Sequence, residues 1–287
     1  MKRLLHTRRV LPSAAVVLIA IIWLIPILGV LITSFRSTSA VAQTGWWTVL
    51  ANPFSQEYTL GNYIRILTRN VGGATMGRAF LNSLIITLPS TILPIIIGAL
   101  GAFAFARMKF SLRLPLLTVI ISLLSIPLQA TVIPILEMYN KIGFTGHFVG
   151  IWLVHTGYGL PLIVYFLYSF FKELPHELFD SASIDGATTL QILLRIVFPL
   201  SRPALASIAI FQFLWVWNDL FAALMYLGGS PKVAPLTVAL SNLVGSRGQG
   251  WELMTSGAFI SSAVPLMVFF TLQRYFIKGM LAGSIKG

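Results

Sequence analysis

Charged residues are sparse along this chain, and the gaps between them recur at a similar length. No charge falls between Arg9 and Arg36, none from Ala79 to Ala106, and none from Leu114 to Pro134. Further apolar stretches run from Phe148 to Phe171, from Arg202 to about Leu227, and from Leu253 to Leu272. An α-helix needs about 20 apolar residues to cross roughly 30 Å of hydrocarbon. Each stretch is long enough, so the pattern predicts six transmembrane helices. Pro26, Pro89, Pro94, Pro127, Pro161 and Pro265 lie inside them. Membrane helices tolerate such prolines where neighbours re-satisfy the freed carbonyls. The apolar run from Val10 to Phe35 spans 26 residues, too long for the core of a secretory signal despite the basic start and the Ala40-Val-Ala42 triplet. It reads as an uncleaved first helix.

Composition sharpens this picture. Of 287 residues, 56% are hydrophobic and only 10% are charged, with a mean hydropathy of +0.86. Soluble domains carry about 25% charged residues to cover their surface. The expectation is therefore an all-α integral membrane protein. The absence of cysteine excludes a disulfide scaffold, and the hydrophobicity excludes a disordered chain. A net charge of +12 in a soluble protein would suggest nucleic acid; here it is read as basic loops beside an anionic lipid bilayer, with no nucleic-acid partner.

Six spans place both termini on one side. With that side as the cytoplasm, 13 Lys and Arg residues lie inside and 7 outside. The tight connection Arg107-Met-Lys-Phe-Ser-Leu-Arg113 contributes three of the 13. The positive-inside rule thus predicts a multi-pass protein with both termini cytoplasmic.

Two loops stand apart. The outer loop from about Arg36 to Arg78 holds Trp46-Trp47, expected as an interfacial anchor. The inner loop from Lys172 to Arg202 holds four of the chain's eight acids, Glu173, Glu177, Asp180 and Asp185. Pro175 can open a helix with Glu177 and Asp180 in its first turns, and Gly186 can break it. Thr188 with Gln191 fits a capping box for a second helix. Leu190, Leu193, Leu194 and Val197 recur at helical spacing, and Pro199 and Pro203 end that helix before the fifth span. The result is a helical hairpin on the cytoplasmic face. A lipid-seeking helix would carry basic residues on its polar face. This first arm is acidic, which favours a protein partner.

The same segment resembles the EAA loop of ABC importer permeases. The family pattern is Glu-Ala-Ala, two residues, Asp-Gly-Ala, then an Ile-x-Leu-Pro ending. The chain has Asp180-Ser181-Ala182, then Asp185-Gly186-Ala187, then Ile196-Val-Phe-Pro199. It departs at Asp180 and Ser181, both close in size to the residues they replace, and in a minor way at Phe198 for Leu. Further motifs resemble the second permease of maltose-type carbohydrate transporters: Thr33-Ser-Phe-Arg36, Asn82-Ser83-Leu84, Trp217-Asn218-Asp219, and the tail from Gln273 to Gly287.

That resemblance implies a single transmembrane domain over 1–287, with a first helix and outer loop at 10–78, a core at about 79–275, a coupling loop at 172–202 and a tail at 273–287. It implies a non-enzymatic pore subunit of a sugar importer in a bacterial or archaeal inner membrane. Its partners would be a second permease, two ATPase subunits and an extracytoplasmic sugar-binding protein. Glu177, Asp180, Ser181, Ala182, Asp185, Gly186, Ala187 and Pro199 would dock the ATPase. Gln273, Lys278, Gly279 and Lys286 would carry a coupling role for the tail. Trp215, Trp217, Asn218 and Asp219 are candidates for the translocation path, with Asp219 expected near water in an outer vestibule.

The chain itself carries no phosphate-binding Gly-x4-Gly-Lys-Ser/Thr loop. ATP and magnesium would therefore belong to the partner ATPase, with no cofactor bound here. His6, His147, His155 and His176 show no metal-ligand spacing. Two alternatives are a carrier driven by an ion gradient, which would need paired midplane acids or interrupted helices in two related halves, and a membrane enzyme, which would need a constellation of acids and histidines.

Overall fold

The computed structural model describes residues 2–53, 57–68, 70–71, 74–243 and 250–284, with side chains left undescribed at 2–11, 70–71, 74 and 274–284. Among the described residues, four helices are long and apolar enough to cross a membrane: Pro12–Ser34, Met76–Arg107, Phe148–Lys172 and Trp251–Gln273. Two bent pairs of shorter helices bring the number to six where each pair counts as one broken span. The chain divides into two compact units, Met1–Met76 with Ala239–Ser262, and Gly77–Val238 with Ala263–Gly287.

The first unit holds α1 (Lys2–Ser34), three short helices α2 (Thr38–Gln43), α3 (Thr48–Ala51) and α4 (Gly61–Thr68), and a two-stranded ribbon, β1 (Asn70–Val71) against β2 (Ala74–Thr75). Val16, Leu18, Ile21 and Trp23 on α1 are exposed. Water would penalise that surface and hydrocarbon would not. Arg36, counted above as an outer-loop charge, is 1% exposed. Its guanidinium donates to the carbonyls of Ala40 and Thr44 and to the Thr44 hydroxyl. Asn62 donates to the carbonyls of Ser34 and Arg36 at 3.0 and 2.8 Å, fixing the loop to the end of α1. Trp47 is exposed, whereas Trp46 covers Gly29.

The second unit contains α5 (Met76–Arg107, apart from its first residue), α6 (Arg113–Ser122), α7 (Leu128–Ile142), α8 (Phe148–Lys172), α9 (His176–Ile184), α10 (Thr189–Ile192), α11 (Phe198–Leu200), α12 (Arg202–Trp217), α13 (Phe221–Leu227) and the first half of α14 (Leu236–Ser241). The last long helix, α15 (Trp251–Ser284), has residues in both units. Helices α5 and α8 approach closely at Gly98, where an added Cβ would sit 2.6 Å from the Ile163 side chain. Small residues at such contacts let membrane helices pack without a hydrophobic drive between them. Gln212 on α12 donates to the carbonyls of Ser90 on α5 and His155 on α8, at 3.0 and 3.4 Å.

Most prolines sit where the sequence reading placed them, inside intact helices. Pro127 is the exception. The third span, expected to be continuous from Leu114 to Pro134, bends by 102° between Ser125 and Leu128 and runs on to Ile142. Ile126 is extended at φ −84°, ψ 118°, as expected for a residue before proline. The fifth span is also shorter than expected. Helix α12 stops at Trp217, and α13 starts anew at Phe221.

Candidate functional site

The loop between α8 and α12 folds as the hairpin read from the sequence. Helix α9 begins directly after Pro175, with Glu177 in its first turn. It ends in a Schellman motif: Gly186 donates to the Ser183 carbonyl at 3.1 Å and Ala187 to the Ala182 carbonyl at 2.9 Å. That closure requires a left-handed residue, and Gly186 has φ +75°. Thr188 and Gln191 form the capping box, with bonds of 2.7 and 3.3 Å. Such a cap is worth about 1 kcal/mol.

The second arm differs from the regular helix expected. Leu193–Val197 is a π-helix, with the Phe198 amide donating to the Leu193 carbonyl. The wider turn shifts the helical register. Ile192, Leu193 and Val197 consequently point inward, while Leu190 and Leu194 are exposed. The break falls at Ser201, between the two prolines, and α12 leaves at 78° to the segment before it.

The hairpin has two unlike faces. Ala182, Ile192, Leu193 and Val197 are buried in one cluster with Phe103, Phe171, Ala204 and Ile208, so three long helices grip it. Glu177, Asp180, Ser181, Asp185 and Gly186 are exposed beside Ile184, which is 86% exposed. Pro199 is exposed and Ala187 half-buried. Of the docking residues expected from sequence, Ala182 is buried in the core and Ala187 packs against it.

The candidate path residues lie at the far end of α12. Trp217 is 2% exposed, stacked on Phe213 and edge-on to Phe80. Trp215 packs edge-on to His155, with ring centroids 5.2 Å apart. Asn218 is exposed. Asp219 is not in open water as expected: its carboxylate lies 3.5 Å from His155 Nε2 and accepts a hydrogen bond from the Ala222 amide at 3.1 Å. Ser83, Thr87, His155 and Asp219 border a cavity of about 10 Å³, room for a single water. At this size it does not enclose a sugar. Asn82 and Ser83 hold the following loop, Asn82 donating to the carbonyls of Lys232 and Ala234 and Ser83 accepting from the Leu236 amide.

Of the tail residues, Gln273 donates to the Phe270 carbonyl at 3.2 Å. The backbone stays helical to Ser284. Lys278 and Gly279 are described by their backbone alone, and Lys286 lies outside the described residues. No group of three or more His, Asp or Glu residues suited to a metal occurs among the described residues.

Sequence reasoning missed two residues. His155 was set aside for lack of ligand spacing, yet it pairs with a residue on another element. Arg107 was counted only as a cytoplasmic charge. Its guanidinium donates to the carbonyls of Phe171 and Leu174 at 2.6 and 2.5 Å, faces His176 Nδ1 at 3.3 Å, and lies 4.0 Å over the Phe179 ring.

The family model described as binding-protein-dependent transport system inner membrane component matches residues 91–282. An osmoprotective compounds uptake permease protein of Synechocystis sp. is 53% identical, over 95% of this chain and 90% of the relative. An alpha-glucoside transport system permease protein of Rhizobium meliloti is 51% identical over 80% of this chain, which spans 61% of that relative's length. A solved bacterial ABC transporter for import of the polysaccharide alginate has a chain of the same fold, with a TM-score of 0.75 at 21% identity, over 93% of this chain and 97% of that one.

Proposed function

On the premise that the chain belongs to the binding-protein-dependent transport system inner membrane component family, we propose that it is one half of a pore that imports a glucoside or a sugar-like osmoprotective solute. A second permease supplies the other half, two ATPase subunits bind the hairpin, and an extracytoplasmic binding protein delivers the substrate. The chain itself is a non-catalytic membrane component. Both termini and the hairpin lie on the cytoplasmic side.

The two-faced hairpin is the observation that carries the mechanism. Its outer face offers acids around the exposed Ile184 to a partner, and its inner face is clamped by α5, α8 and α12. A push on the outer face therefore moves those helices, because a close-packed core does not deform continuously. Ala182 serves docking indirectly, by anchoring α9. The solute class rests on relatives whose names specify osmoprotective compounds and alpha-glucosides. Removing the chain from its host should abolish high-affinity uptake of such a solute without altering the binding protein's affinity. Undiminished uptake would refute the reading.

A further inference from the structure

Arg107 is the last residue of α5. A basic residue placed there only to set topology needs no more than interfacial water and lipid headgroups. The structure uses this one differently. The guanidinium is half-buried, and its Nε is enclosed without a hydrogen-bond partner. Among the described residues it meets no carboxylate. Two of its hydrogen bonds instead go to the carbonyls of Phe171 and Leu174, at and just beyond the C-terminal end of α8. Carbonyls at a helix C-terminus lack intrahelical donors and carry the negative end of the dipole, so a cation suits them. The other face of the same group covers the Phe179 ring and meets His176, both on α9. One planar cation thus joins the ends of α5 and α8 to the first arm of the hairpin.

The position matters because the link between α8 and α9 is short and irregular. It consists of Glu173, Leu174 and Pro175, and Pro175 is extended at φ −56°, ψ 134°. Its last backbone bond to α8, from Leu174 to the Phe171 carbonyl, is long at 3.4 Å, so bending would concentrate there. The second arm is tied differently: across the bend at Ser201 the backbone bonds continue, from Ser201 to the Val197 carbonyl at 2.9 Å and from Leu205 to the Ser201 carbonyl at 2.8 Å.

We propose that Arg107 is a positioning residue for energy coupling: it locks the α8–α9 hinge, so that movement of the hairpin turns α5 and α8 instead of being absorbed between them. This rests on the reading of the hairpin as the ATPase-docking element. Lysine keeps the charge but cannot span two carbonyls and a ring face at once.

The test uses the whole importer in liposomes, with solute transported per ATP hydrolysed as the readout. Arg107→Lys should insert, retain the ATPase and hydrolyse ATP, while transport per ATP falls about threefold or more. Phe179→Leu, which removes only the ring, should lower the ratio less. A wild-type ratio in Arg107→Lys overturns the proposal. Loss of the ATPase from that variant complex also overturns it, because Arg107 would then act in assembly. Failure of the docking reading would appear separately, as an ATPase still bound after Gly186→Trp.

Discussion

The Ala187 amide donates to the Ala182 carbonyl at 2.9 Å, and with the Gly186–Ser183 bond it reverses the chain at the tip of the hairpin. It explains the Asp-Gly-Ala triplet in physical terms. Asp185 ends α9, Gly186 adopts the left-handed conformation, and Ala187 turns back onto the cluster that holds Ala182.

Gly186 separates fold from docking. A Cβ there meets nothing within 4 Å, so space is not limiting, but φ is +75°. Gly186→Ala should therefore cost about 1–2 kcal/mol of local strain and weaken ATPase association modestly. Gly186→Trp adds a ring that projects from the exposed tip, and should abolish association while the permease still inserts. Co-purification of the ATPase with each variant checks this, and equal recovery from both would contradict it.

Thr188→Ala removes the capping box and should cost about 1 kcal/mol, with Thr188→Ser restoring most of it. Amide hydrogen exchange over Thr189–Ile192 reports the loss directly. Unchanged protection in the alanine variant would show that the cap is dispensable.

Asp219 is expected to act in structure and not in solute binding. Asp219→Asn keeps an acceptor for the Ala222 amide and should leave transport near wild type. Asp219→Ala strips the α13 amide and the His155 ring of their partner, at a cost of about 1–3 kcal/mol. Its thermal midpoint should fall by a few degrees, with the solute KM unchanged. A raised KM in Asp219→Asn would return the residue to the translocation path.

The spans made of α1, α5, α8 and α15 were legible because uncharged length alone defines a membrane helix. The hairpin was legible too, since Pro175, Gly186, Thr188 and Gln191 each act within one turn. The break at Pro127 was not, because many prolines occur in the apolar runs and only tertiary packing decides which one bends the chain. The π-turn escaped for a related reason: spacing arguments assume one period, and Leu193–Val197 changes it. The His155–Asp219 pair and the Arg107 clamp join residues distant in sequence, which no local pattern encodes. The path reading of Trp217 and Asp219 came from the rarity of acids inside membrane spans and the stacking surface of indole, and packing buries Trp217 and leaves Asp219 half-buried.

Topology is open to a simple check. A reporter active only outside the cytoplasm, fused after Gly287, should be silent, as the excess of basic residues on that side requires. Strong activity would put the hairpin out of reach of any ATPase.

The central claim is that this chain forms part of an ATP-driven pore worked through its hairpin. Its most direct test is uptake of a labelled glucoside into liposomes holding the complete complex, with the loaded binding protein on one side and ATP on the other. The expected result is uptake that requires both, persists when ion gradients are collapsed, and disappears with Gly186→Trp. Uptake that proceeds without ATP, or that collapses with an ion gradient, would contradict the account.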